Sequence, residues 1–184
     1  MSTDAEIVAR VRDGDRDAYA ELVHRHVAVA HRTAVLLGAG PDADDVVQES
    51  LVKAYRALGS FRHGAAFRPW LLRIVANQTY NLHRSARRRE AREPHHWPVE
   101  VVVDPADAAL STERRTELVA ALRRLPEPYR RVVICRYLLD LDVRETATVL
   151  GWRTGTVKSR LSRALRRLQA LLDQPGVRQE VTRG

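Results

Sequence analysis

Between Arg153 and Leu172 the chain carries six lysines and arginines and no acid. Lys158 and Arg163 can donate to guanine O6 and N7, and Ser159 and Ser162 can donate or accept, so this stretch has the chemistry to read base edges in a DNA groove. Thr156 and Arg160 are better placed for phosphates or local packing. A second constellation precedes it: Trp70, Arg73, Asn77, Asn81, Arg84 and Arg88 share one stripe at helical spacing. Cations meet phosphates, amides reach base edges and aromatic rings stack on bases, which together suit a single strand. Trp70, near a helix start, is expected in the core rather than as a stacking platform. A third group, Asp45, Gln48, Glu49 and Val52, falls at i, i+3, i+4 and i+7. Acid, amide and one aliphatic on a shared helical face suit docking onto another protein better than burial. The plainer alternative is a solvated face with no role.

Catalytic chemistry finds little footing. An enzyme acting on nucleic acid needs a carboxylate cluster, a metal set or a nucleophile with a base. Asp42, Asp44, Asp45 and Glu49 are the only dense acids, and they scatter around a helix. His95 and His96 are adjacent on a proline-flanked stretch without a nearby cysteine, and His24 and His26 point to different helix faces, so neither pair makes a good metal site. No catalytic residue, metal or cofactor is expected.

The elements that position these groups are helices. Asp142 can cap a helix, with Glu145 three residues later closing a capping box, and Gly151 stands where a helix-ending glycine should. A short turn, Trp152–Thr154, leads to a second helix whose Val157, Leu161, Ala164, Leu165, Leu168 and Leu172 fall on one face. Two helices, a glycine-bearing turn and a basic second helix describe a helix-turn-helix. An ordinary solvated helix face would mix charge signs, whereas this one carries a single sign.

Upstream, the pattern predicts helices over about Asp4–Asp13, from Asp15 or Asp17 to about Leu37 with Ala18, Tyr19, Leu22, Val23 and Val27 spaced for burial, over Asp42–Leu58, and from about Pro69 to Arg89. On the last of these, Leu71, Ile74, Val75, Gln78 and Leu82 share one side. Residues 84–92 hold five arginines against one glutamate; from Glu93 to Leu110 the sign flips, with Glu93, Glu100, Asp104 and Asp107 and no Lys or Arg. Pro94, Pro98 and Pro105 discourage regular structure there, so 93–107 is expected to be a flexible, acidic linker. Helices over about Ala108–Leu125 and Tyr129–Leu139 follow, the latter packing Val132, Val133, the stem of Arg136 and Tyr137. The expected organisation is all-α: two small helical domains, 1–92 and 108–174, joined by the linker and followed by a tail, 175–184.

Net charge of +8 in 184 residues, with a pI of about 10.5, favours a polyanionic partner, the alternatives being an anionic membrane surface or plain solubility. Cys135 is the only cysteine, which excludes an intrachain disulfide and suits a reducing compartment. No apolar run approaches a membrane span, and the N-terminus lacks the apolar stretch of a signal peptide. A cytoplasmic protein without membrane insertion is expected.

The stretch E-T-A-T-V-L-G-W-R-T-G-T-V-K-S-R-L resembles the promoter-reading helix-turn-helix of bacterial sigma factors, in the extracytoplasmic-function group of the sigma-70 family. Thr146 stands where that family more often has an aliphatic residue, which is expected to loosen packing of the first helix. D-A-D-D-V-V-Q-E-S-L-V-K-A-Y-R-A-L resembles the sigma helix that binds the clamp of the polymerase's largest subunit, and the resemblance assigns that contact to Asp45, Gln48 and Glu49. The segment from Phe61 through Arg89 resembles the one that melts and reads the minus-ten element. The resemblance implies that Arg73, Asn77, Asn81, Arg84 and Arg88 meet that DNA and that the loop Ser60–Ala66 helps hold a flipped base. It implies a minus-thirty-five role for Thr156, Lys158, Ser159, Arg160, Ser162 and Arg163. It covers about Ala5–Leu172 with only the linker unmatched. The implied partners are core RNA polymerase, promoter DNA and, as often in this family, an inhibitory anti-sigma factor. The rival readings are a stand-alone helix-turn-helix regulator, which leaves the docking face and the amide stripe unexplained, and a nucleic-acid-processing enzyme.

Overall fold

The computed structural model describes residues 2–62, 64–89 and 112–173. The expected linker acids Glu93, Glu100, Asp104 and Asp107 and the tail 175–184 lie outside the described residues. Every regular element among those described is helical, and the chain divides into two compact units between Pro98 and Val99.

The first unit contains α1 (Asp4–Arg12), α2 (Ala18–Leu36), α3 (Ala43–Ala57) and α4 (Phe67–Arg89), with single 3-10 turns at Gly40–Asp42 and Leu58–Ser60. Thr3 and Glu6 close a capping box at the start of α1: the Thr3 N–H donates to Glu6 Oε2 at 2.9 Å, and the Glu6 N–H donates to Thr3 Oγ1 at 3.3 Å. Of the two aspartates that can start α2, Asp15 makes the bond, accepting from the Ala18 N–H at 3.1 Å, while Asp17 occupies the cap position without a side-chain bond. Ile7, Val8, Leu22, Ala54, Leu58, Phe61, Phe67 and Leu71 form one core cluster; Ala30, Ala34, Val46, Val47 and Val75 form a second.

The inward line of α2 runs through Ala18, Leu22, His26, Ala30 and Thr33. This corrects the expectation for Val27, which is 38 % exposed. His26 takes the interior position because Asp4 Oδ2 lies 2.7 Å from its Nε2 and its ring sits 5.2 Å from Phe67. A buried polar ring needs such a partner.

The second unit contains α5 (Thr112–Arg124), α6 (Glu127–Val133), α7 (Val143–Leu150) and α8 (Thr154–Leu172). Pro126 ends α5, and the buried Arg130 donates from Nη1 to Arg123 O at 3.0 Å and Leu125 O at 3.2 Å, satisfying carbonyls at that helix end. Burial pushes the Arg130 guanidinium pKa down, against the opposing pull of Glu127. α6 continues as one π-helical turn, Ile134–Leu138, with the Leu139 N–H donating to Ile134 O at 3.0 Å.

That turn corrects the expectation for Tyr137. Closing i to i+5 advances the helical phase, so Ile134 and Cys135 are buried while Tyr137 is 58 % exposed. Burial raises the Cys135 thiol pKa to about 12. The core gathers Leu122, Leu125, Val132, Val133, Ala147, Val157, Ala164 and Leu168. On α8, Leu165 and Leu172 are 38 % and 41 % exposed, so the buried stripe is narrower than the expected one.

Candidate nucleic-acid and protein interfaces

α3 begins with Asp44 and Asp45 in its first turn, where carboxylates complement the helix dipole. It buries Val46, Val47, Ser50 and Ala54, and this orientation exposes Asp45, Gln48, Glu49 and Val52 together. The side chains of Asp45 and Gln48 make no hydrogen bond or ion pair among the described residues. Glu49 is partnered: its Oε2 accepts from Gln78 Nε2 at 2.6 Å and lies 3.9 Å from Lys53 Nζ. Gln78, on the side of α4 that Leu71, Ile74, Val75 and Leu82 share, is half-buried and reaches across to α3. Nothing in the local pattern of α4 signals that bond.

On α4, Leu71, Leu72, Val75, Ala76 and Thr79 are buried, and Arg73, Asn77, Asn81 and Arg84 are exposed on the opposite side. Arg88 lies on the final turn of the helix backbone; its side chain is outside the described residues. Trp70 is half-buried in the core, as expected, with its ring 4.8 Å from Phe61 and 5.5 Å from Phe67. The loop before α4 turns at Gly64, whose φ of +76° favours glycine.

In the second unit, the capping box of α7 forms as expected. Asp142 Oδ1 accepts from the N–H groups of Arg144 at 2.6 Å and Glu145 at 2.8 Å, and Glu145 Oε2 accepts from the Asp142 N–H at 2.8 Å. The Glu145 N–H is the largest influence holding the Asp142 carboxyl below its ordinary pKa; the Arg144 N–H and the charges of Arg136 and Arg144 add to it, against a partial desolvation penalty. Gly151, at φ +67°, ends α7. The Gly151 N–H donates to Thr148 O at 3.3 Å and the Trp152 N–H to Ala147 O at 2.9 Å, the paired bonds of a Schellman ending. A side chain bearing Cβ would be strained there, so this glycine sets the direction in which α8 leaves.

α8 is seated by Val157, Ala164 and Leu168, which leaves Lys158, Ser159, Ser162 and Arg163 exposed. The side chains of Lys158, Ser162 and Arg163 have no hydrogen-bond or ion-pair partner among the described residues. Ser159 Oγ donates to Thr156 O at 3.2 Å. Arg160 stacks over Trp152, 4.1 Å from the ring centroid, and Arg167 over Tyr129 at 4.7 Å. Arg160 therefore packs locally and is set apart from the outward donors, with Thr156 half-buried beside it. Among the described residues no three His, Cys, Asp or Glu side chains gather as a metal ion would need, and no helix is long and apolar enough to cross a membrane.

The family described as Sigma-70 region 2 matches residues 18–89, and that described as Sigma-70, region 4 matches residues 115–168. The chain is 39% identical over 171 residues to the ECF RNA polymerase sigma factor SigM of Mycobacterium tuberculosis (strain ATCC 25618 / H37Rv), covering 92% of this chain and 85% of that protein. It is 35% identical over 175 residues to the ECF RNA polymerase sigma-E factor of Escherichia coli (strain K12), covering 88% and 90%. Among solved structures, CnrH in complex with the cytosolic domain of CnrY superposes with a TM-score of 0.67 at 30% identity, covering 92% of this chain and 97% of that one. The sigma factor RpoE in complex with the anti-sigma factor NepR from Bartonella quintana gives 0.67 at 28%, covering 87% and 99%.

Proposed function

The chain belongs to the sigma-70 family, in its extracytoplasmic-function group, and from that premise we propose that its two units divide the promoter between them. It is an alternative sigma factor that directs transcription initiation. Sigma factors are regulatory DNA-binding proteins rather than enzymes, and this one is proposed to carry no catalysis of its own and to work in the cytoplasm.

In the proposed division, Asp45, Gln48 and Glu49 on α3 dock core RNA polymerase at the clamp of its largest subunit. α4 and its preceding loop capture the minus-ten element as a single strand. Arg73, Arg84 and Arg88 meet phosphates, while Asn77 and Asn81 reach base edges. α8 enters the duplex major groove at the minus-thirty-five element. Lys158 and Arg163 donate to guanine, Ser159 and Ser162 adjust to either base, and Thr156 and Arg160 support the backbone approach. α8 opens without an acid in its first turn, which suits a helix N-terminus approaching phosphate. An anti-sigma partner is proposed from the solved relative that was captured with one.

The single observation that carries the reading is on α8. Its cationic and hydroxyl donors Lys158, Ser162 and Arg163 are exposed and unpartnered among the described residues, on a helix whose opposite side is seated in the core. The test is run-off transcription with core polymerase, with and without this protein, on paired templates carrying an intact or a scrambled upstream element. Specific transcripts that appear only with the protein, and favour the intact element, support the division. Specific duplex binding without core enzyme, and no gain in initiation, would favour a stand-alone regulator.

A further inference from the structure

We infer that Arg12, on α1, is a positioning residue for strand capture: its guanidinium holds the Leu58–Phe61 turn from which the loop before α4 departs. This deepens the proposed role of that loop and rests on it. Arg12 Nε and Nη2 donate to Leu58 O at 3.1 and 2.9 Å, and Nη2 also reaches Gly59 O at 3.5 Å and donates to Phe61 O. These carbonyls end α3 and its 3-10 turn, where Leu58 O also accepts from the Phe61 N–H at 3.1 Å. A cation there also meets the negative end of the α3 dipole. A planar fork can hold several carbonyls in one arrangement, which a single ammonium on a flexible stem does poorly.

Arg12 projects from a fixed base. The capping box pins the start of α1, and Arg10 ties its end to Asp15 at 2.7 Å and to Glu21 on α2 at 2.8 Å. Ile7 and Val8 lie in the same core cluster as Leu58, Phe61 and Phe67. Phe61, at the far end of the turn, is buried with its ring 4.8 Å from Trp70 and 6.0 Å from Phe67. The chain therefore leaves the turn in a set direction, and Arg62, Gly64, Ala65 and Ala66 beyond it are exposed. The proposed docking residues lie at the other end of α3. Gln48 and Leu58 are ten residues apart, roughly 15 Å along a helix axis, so loss of the fork should leave docking intact.

The rival account makes Arg12 a helix cap and nothing more. Base preference separates the two, because a cap that only stabilises the fold does not choose among bases. Full-length Arg12→Ala and Arg12→Lys would be assembled with core polymerase. Each holoenzyme would be titrated with a labelled single-stranded non-template minus-ten oligonucleotide, with every base substituted in turn. Core affinity and Tm would be measured beside it. Arg12→Ala should weaken strand binding about tenfold, the scale of a lost charged hydrogen-bond set, and flatten the base preference. Core affinity should stay within about twofold. Arg12→Lys should recover Tm more fully than strand binding.

Unchanged strand affinity and preference in Arg12→Ala would overturn the assignment, as would parallel loss of core and strand binding. Full restoration of both Tm and strand binding by lysine would also overturn it. Should Arg12→Ala not assemble, Arg12→Lys decides by the same two readouts. A loop deletion within 59–66 and Asn77→Ala are assayed alongside. If both bind the strand normally, the capture role of the segment itself falls, and Arg12 with it.

Discussion

The start of the first unit and the last helix of the second use their polar groups in opposite ways. On α1 and α2, cations are spent inside the chain: Arg10 pairs with Asp15 and Glu21, Arg12 holds the Leu58–Phe61 turn, and Arg25 Nη1 reaches Ser2 O at 2.6 Å. Three buried hydroxyls of that unit are each satisfied by the carbonyl four residues back: Thr33 to Val29 O at 2.7 Å, Ser50 to Val46 O at 2.6 Å and Thr79 to Val75 O at 3.0 Å. In the second unit, α8 turns Lys158, Ser162 and Arg163 outward without partners among the described residues. Beneath it Thr146 is fully buried with its Oγ1 making no hydrogen bond. Groups that close on their own chain shape a scaffold, whereas groups left open are available to another molecule. The contrast separates Arg10 and Arg12 from Arg163, although all three are arginines on helices.

The sharpest way to break that contrast is to remove one open and one closed cation. Arg163→Ala should cost about 1–3 kcal/mol of discrimination between the intact and the scrambled minus-thirty-five element, read by transcription on paired templates at fixed salt. Arg10→Ala should leave that preference unchanged. If Arg163→Ala weakens every template equally, α8 positions the protein without reading sequence.

The proposed docking face tests the contrast within the first unit, because the side chains of Asp45 and Gln48 are open there while Glu49 is held by Gln78. Gln48→Ala combined with Glu49→Lys should weaken capture of core polymerase by roughly tenfold, the scale of a charged interface contact. Circular dichroism should show the helix content preserved. Undiminished co-purification with core enzyme would remove α3 from the interface.

A smaller effect is expected from the buried hydroxyls. Thr146→Val removes an unsatisfied polar atom while nearly keeping the shape, so it should stabilise the protein by about 1 kcal/mol. Thr79→Val removes a satisfied hydroxyl and should destabilise it by a similar amount. Denaturant midpoints at constant slope would report both. Stabilisation by both substitutions would erase the distinction between the two hydroxyls.

The smallest expected effect is pH-dependent. The pKa of Asp142 is lower in the folded chain than in the unfolded one, so its capping contribution is full above the unfolded value and fades as pH falls through the folded one. The Tm of the protein should therefore decline on acidification, and Asp142→Asn should flatten that part of the profile. An identical acid limb in the variant would locate the dependence in other carboxylates.

Much of this arrangement was legible in the sequence because it depends on contacts a few residues apart. The Asp142–Glu145 capping box, Gly151 at the end of α7, the exposure of Asp45, Gln48 and Glu49, and the stripe Arg73, Asn77, Asn81 and Arg84 follow from helical period and cap chemistry. Tertiary structure decided the rest. The π turn that exposes Tyr137, the choice of His26 over Val27, and the partial exposure of Leu165 and Leu172 depend on what each helix packs against. The bond from Gln78 to Glu49 and the fork from Arg12 to Leu58 link residues 29 and 46 positions apart. Helical periodicity specifies which side of one helix is apolar; it carries no information about which distant carbonyl or carboxylate will lie within hydrogen-bonding reach once the helices are packed.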